Sequence, residues 1–128
     1  MKLLLDTHLL LWIAGDSPRL PAAARQAVED PQADLLFSVA SIWEVSIKIG
    51  LRQKDMRWDA SVLRRGLVES GYGELPITGE HALRTGALPP IHKDPFDRML
   101  VAQAMANGIL LMTSDPMLAR YPAPVRLV

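Results

Sequence analysis

The chain has no cysteine. That absence excludes a disulfide framework, a Cys-ligated zinc or iron–sulfur site and a cysteine nucleophile, and it suits a reducing cytoplasm. An excess of charge is also missing, because 14 Lys and Arg balance 14 Asp and Glu. A polyanionic partner must then be met by a local patch or through a bound cation, not by general adhesion. No apolar stretch reaches the roughly 18 residues of a membrane span. The opening MKLLLDTHLLLWIAG has the layout of a signal peptide, but Asp6 and His8 split its apolar run. We therefore expect a short buried strand from Lys2 to Leu5, and no membrane association. There is no P-loop and no G-x-G-x-x-G, which disfavours nucleotide hydrolysis and dinucleotide chemistry. Repeats, low-complexity tracts and linkers are absent as well.

What is present is a chain of 128 residues, 49% of them hydrophobic. That suffices for one domain over 1–128 with its own core, and leaves no room for two. Short apolar runs at Lys2–Leu5, Leu35–Ser38, Ile109–Met112 and Val125–Val128 read as strands, with a weaker one at Glu74–Ile77. Helices are expected up to Ala14 after Asp6-Thr7, over Pro21–Glu29 and over Ser38–Leu51 with Ser38 or Ser41 as cap. Others are expected over Ala60–Glu69 behind Asp59, over Gly79–Thr85 behind Thr78, and from Asp94-Pro95 to Asn107 with Gly108 as the stop. Asp115 is placed to cap a short helix ending at Arg120. Short apolar strands alternating with helices predict an α/β fold with a parallel sheet covered on both faces.

In such a fold ligands bind at the carboxyl ends of the strands. Asp6 follows the first strand and Asp115 the Ile109–Met112 strand. Asp97 lies in the first turn of the helix feeding that strand, and Glu44 about two turns into the helix after Ser38. Each acid also has an ordinary use: Asp6 and Asp115 as caps, Asp97 at a helix N-terminus, Glu44 paired with Lys48 at i,i+4. Together they ask for more. Glu44 sits between Trp43 and Val45 in an apolar segment, where an unpaired acid is costly. A cluster of acids repels itself unless protons or a cation intervene. Hard oxygen donors suit Mg²⁺ or Mn²⁺ better than zinc.

Four stretches carry a resemblance: Asp6-Thr7, Ser38-Val-Ala-Ser-Ile-Trp-Glu44, His92-Lys-Asp94-Pro-Phe-Asp97-Arg, and Leu111-Met-Thr-Ser-Asp115. In that order and spacing they resemble the PIN-domain family, and within it the VapC-like toxin ribonucleases of type II toxin–antitoxin modules. The resemblance covers essentially the whole chain. It implies a three-layer α/β/α sandwich with a central parallel sheet and a Mg²⁺- or Mn²⁺-dependent endoribonuclease. Water would attack the RNA phosphodiester and leave a 5′-phosphate. It further implies a cytoplasmic homodimer and a cognate antitoxin that blocks the site. Asp6, Glu44, Asp97 and Asp115 match the acidic quartet. Asp6 and Asp97 are expected to bind the main ion directly, with Glu44 and Asp115 acting through water or at a second ion. Asp94, three residues before Asp97, is the second choice as ligand and otherwise a helix cap. His8 departs from the Ser or Asn that many members carry after Asp-Thr.

Thr7 and Ser114 flank two of the acids and are candidates to orient carboxylates or water. Lys48 and Arg52 continue the helical row from Glu44 and are candidates to guide the RNA backbone, or form a solvated face. Arg98 is expected to pair with an acid. Of three tryptophans, Trp58, in a polar context, is the one expected to be exposed. The main rival is a receiver-like phospho-acceptor domain with an acidic Mg²⁺ pocket. It would want paired acids after the first strand and a Lys after a late strand; Asp6 stands alone and no Lys follows Lys93. A catalytically inactive PIN-like RNA-binding module is the other rival, and all four acids speak against it.

Overall fold

The computed structural model describes residues 1–50 and 59–128. Its order is β1 (Lys2–Leu5), α1 (Thr7–Ala14), α2 (Ala22–Glu29), β2 (Asp34–Ser38), α3 (Val39–Gly50), α4 (Ala60–Glu69), β3 (Gly73–Leu75), α5 (Gly79–Gly86), α6 (Pro95–Asn107), β4 (Leu110–Thr113) and β5 (Val125–Leu127). All strand pairs are parallel, in the order β3-β2-β1-β4-β5. Alternate side chains of each strand enter opposite layers, as the pleat requires. Leu3 and Leu5 of β1, Phe37 of β2 and Met112 of β4 pack with α1 through α4. Leu4 and Leu111 pack on the other face with α6. The result is the expected three-layer α/β/α sandwich. Leu3, Leu4 and Leu5 are each at most 2% exposed, and burial of each stabilises the fold by about 2 kcal/mol.

Chain direction explains where the helices lie. From β1 the chain steps outward to β2 and β3, then crosses back to β4 on the far side of β1. Right-handed crossovers in opposite directions place α1–α4 on one face and α5–α6 on the other. The direction reverses between β1 and β4, so the crevice of an open α/β sheet opens there. The residues at its lip are those after Leu5 and after Thr113.

Element ends follow local chemistry. Asp59 caps α4 by accepting from Ser61 and Val62 N–H, and Thr78 caps α5 by accepting from His81 N–H. Pro95 opens α6 behind Asp94, and Gly108, at φ 61°, closes it in the left-handed conformation. Of the two serines proposed to cap α3, Ser38 does so: its Oγ accepts from Ala40 N–H and donates to the buried Gln103 Oε1 at 2.6 Å. The short helix expected up to Arg120 is a three-residue 3₁₀ helix, Leu118–Arg120, preceded by a tight turn in which Asp115 accepts from Met117 N–H. One expectation is corrected. The third strand is Gly73–Leu75, not Glu74–Ile77, since Pro76 has no N–H to extend the pairing. No helix among the described residues is long and apolar enough to cross a membrane.

Candidate active site

Asp6 caps α1, with Oδ1 accepting from Leu9 N–H at 2.9 Å. Its Oδ2 accepts the Thr113 hydroxyl, and that same hydroxyl oxygen accepts Asp115 N–H at 3.0 Å. One threonine at the end of β4 thus ties the acid after β1 to the acid after β4. Asp6 is 4% exposed. Burial pushes its carboxyl above the usual range, against the hydrogen bonds from Thr113 and Leu9 that lower it.

Glu44 enters from α3 and is 2% exposed. Its Oε2 is paired with Lys48 Nζ one turn on. Its Oε1 is buried with no hydrogen-bond partner among the described residues. Lys48 leans over the cluster, with Nζ 3.9 Å from Asp94 Oδ2. Burial alone would lower its ammonium pKa, but the hydrogen bond and charge of Glu44, helped by Asp94 and Asp97, raise it. Its side chain is 19% exposed, and its ammonium faces the acids. Arg52 and Trp58 lie outside the described residues.

Asp97, on the first turn of α6, is pushed up to about 7, by burial first and then by the charges of Asp94 and Glu44. Its Oδ2 lies 3.3 Å from His92 Nε2, and Asp115 Oδ2 lies 3.1 Å from the same nitrogen. His92, Asp97 and Asp115 offer atoms all within 4.8 Å of one another. Asp94 spends Oδ1 on Phe96 N–H at 2.8 Å, capping α6.

Asp6, Glu44, Asp94, Asp97 and Asp115 therefore gather at one edge of the sheet, with Lys48 as the ammonium facing them. The residues fit a hard divalent cation. The donors are carboxylate oxygens, the buried Glu44 Oε1 lacks a partner among the described residues, and the Asp97 carboxyl is pushed up to about 7 by burial and then by crowding with other acids. The sequence-level partners of the acids are partly replaced. Thr7 donates to Ser41 Oγ at 2.9 Å, tying α1 to α3 and not touching an acid. Ser114 hydrogen-bonds to none of the acids among the described residues, and Thr113 takes that place. A hydroxyl two residues before Asp115, ending an apolar strand, was the legible signal for it. Arg98 makes no acid pair among the described residues. Its guanidinium donates instead to the carbonyls of Thr85, Pro89 and His92. His92 stood in the quoted His-Lys-Asp-Pro-Phe-Asp stretch, yet only the fold sets its ring between two acids. The exposed tryptophan among the described residues is Trp43, 55% exposed and edge-on to Phe96 at 5.1 Å.

Comparison with known proteins agrees with this architecture. Residues 3–124 match the PIN-domain family model. The chain is 30% identical over 135 aligned positions to Ribonuclease VapC22 of Mycobacterium tuberculosis, spanning 95% of each. In fold it is similar to VapBC2 of Rickettsia felis bound to a DNA fragment from its promoter, with TM-score 0.74 at 15% identity over 100% of this chain and 99% of that one. It is also similar to a toxin–antitoxin complex from Klebsiella pneumoniae, with TM-score 0.64 at 22% identity over 96% and 94%. A match along nearly the whole chain removes the receiver-like reading.

Proposed function

Since the chain belongs to the PIN-domain family and to its VapC-like branch, we propose that it is the toxin of a type II toxin–antitoxin module, a divalent-cation-dependent endoribonuclease. The observation that carries this reading is the carboxylate cluster at the β1/β4 crevice, where Asp6 and Glu44 are buried and Glu44 Oε1 has no hydrogen-bond partner among the described residues. Asp6 and Asp97 would hold Mg²⁺ or Mn²⁺ directly. Glu44 and Asp115 would complete the set through water or at a second ion. Asp94 is the second choice as ligand, with one oxygen capping α6 and the other facing Lys48. A bound cation would neutralise phosphate charge and raise the nucleophilicity of water. Thr113 holds Asp6 in place, and Lys48 holds Glu44 in position. Without a cation the cluster repels RNA phosphates, so a net charge of zero is no obstacle to this substrate.

An antitoxin is the expected partner. A groove of about 290 Å³ between α1 and α4, lined by Ile13, Val62, Leu63, Gly66 and Leu67, offers an apolar seat for one of its segments. The exposed Trp43 and Ile47 on α3 offer an apolar face for a homodimer. The protein works in the cytoplasm, a placement supported by the absence of cysteine.

The test is incubation of purified protein with structured total RNA, with Mg²⁺ or Mn²⁺ and with EDTA, beside Asp97→Ala. Discrete cleavage that needs the cation and vanishes in the variant is expected. Cleavage that persists in the variant removes Asp97 from the site. RNA bound but never cut, with cation present, would favour the inactive binding module.

A further inference from the structure

We propose that His92 is a positioning residue: it donates its Nε2 hydrogen to Asp115 beside Asp97, sets the two carboxylates, and does not itself ligate the cation. This rests on the reading that these acids hold a divalent cation. The backbone N–H of Asp94 donates to His92 Nδ1 at 3.0 Å. A nitrogen that accepts from an N–H presents its lone pair, so in the neutral ring the hydrogen sits on Nε2. That Nε2 lies 3.1 Å from Asp115 Oδ2 and 3.3 Å from Asp97 Oδ2. A histidine that binds a metal turns a lone pair toward the ion and donates from its other nitrogen to an outer partner. His92 has the reverse orientation: its hydrogen faces the acids and its lone pair faces the main chain. Proximity of His92, Asp97 and Asp115 within 4.8 Å therefore marks a carboxylate site braced by an imidazole, not a mixed nitrogen–oxygen site.

The main chain of His92 is itself held from both sides that its ring bridges. The His92 N–H donates to the buried Tyr121 hydroxyl at 2.8 Å. Its carbonyl accepts from Arg98 Nη1 at 3.3 Å, and the same guanidinium reaches Tyr121 Oη at 3.3 Å and Thr85 carbonyl oxygen at 2.8 Å. Arg98 follows Asp97 on α6, and Tyr121 lies in the segment after Asp115. The clamp on the His92 backbone thus joins the same two elements whose acids its ring spans. Oxygen donors alone then face the cation, which favours Mg²⁺ or Mn²⁺ over zinc.

Two measurements test this. Long-range ¹H–¹⁵N correlation spectra of the metal-free protein should show His92 as the Nε2–H tautomer, and saturating Mg²⁺ should leave it so. Conversion to the Nδ1–H form on adding Mg²⁺ overturns the proposal, because it frees Nε2 to ligate. Mn²⁺ affinity, read by electron paramagnetic resonance, should fall roughly 10–100-fold in His92→Ala and be largely kept in His92→Gln, whose amide donates from nearly the same place. Equal losses in both variants, or none in either, overturn positioning by a hydrogen bond. A wild type that binds no Mn²⁺ refutes the metal reading instead, an outcome distinct from a wild type that binds and an alanine variant that binds as tightly. Should His92→Ala not fold, the wild-type tautomer still decides.

Discussion

Asp97→Asn should make the metal-free protein more stable while removing its function. Burial and the neighbouring acids push this carboxyl from 3.8 to about 7. At about 1.4 kcal/mol per pH unit, ionising it costs the metal-free fold about 4 kcal/mol. The folded-state pKa is raised, so the native state binds more protons than the unfolded one between pH 3.8 and about 7, and stability falls as pH rises through that window. Asparagine carries no charge and escapes the fall. In EDTA, urea denaturation at pH 4 should give the two proteins similar midpoints. At pH 8 the variant should be more stable by roughly 2 kcal/mol or more, up to that ceiling of about 4 kcal/mol, because the coupled acids share the relief. Mn²⁺ should then stabilise the wild type and leave the variant nearly unmoved. A variant less stable than wild type at pH 8, or a difference that does not change with pH, would refute the assignment of Asp97 as a carboxylate held in the fold against its own ionisation.

Other consequences are simpler. Arg98→Ala should cost about 2–3 kcal/mol in urea denaturation, since carbonyls of residues 85–92 lose a charged donor; a loss under about 0.5 kcal/mol would reduce the clamp to a surface contact. Gly108→Ala should cost about 1 kcal/mol, purely from backbone conformation, because a Cβ there meets nothing within 4 Å while φ is +61°. A thermal shift showing no loss would mean that the helix end rearranges without penalty.

Patterning along the chain made most of the layers legible. Leu3–Leu5, Leu35–Ser38 and Ile109–Met112 are apolar on both faces of the pleat, which is what a sheet covered on both sides demands. Asp59, Thr78, Asp94 and Gly108 marked helix ends because capping is a local reaction between a side chain and the next turn of backbone. The type of the short helix after Asp115 was not legible, for the converse reason. An aspartate that bonds the N–H two residues on looks the same in sequence whether a helix or a 3₁₀ turn follows.

The acids themselves were readable, since Asp6 and Asp115 follow parallel strands while Glu44 and Asp97 lie in the N-terminal halves of α3 and α6, toward the carboxyl edge of the sheet. Their partners were not. Lys48 lies a turn from Glu44 in sequence, but whether its ammonium bends inward depends on how much of the pair the surrounding fold buries. Thr113 and Asp6 are held together only because β4 pairs beside β1. His92 becomes more than a loop residue only when α6 and the chain after β4 close around it, with Tyr121 and Arg98 holding its backbone. Sequence by itself determined the elements, their caps and the identity of the acids, because those depend on neighbours within a turn or on burial period. The tertiary structure alone decided which hydrogen bonds each acid receives and which carboxyl is driven up in pKa, because desolvation and charge crowding arise only where distant segments are packed together.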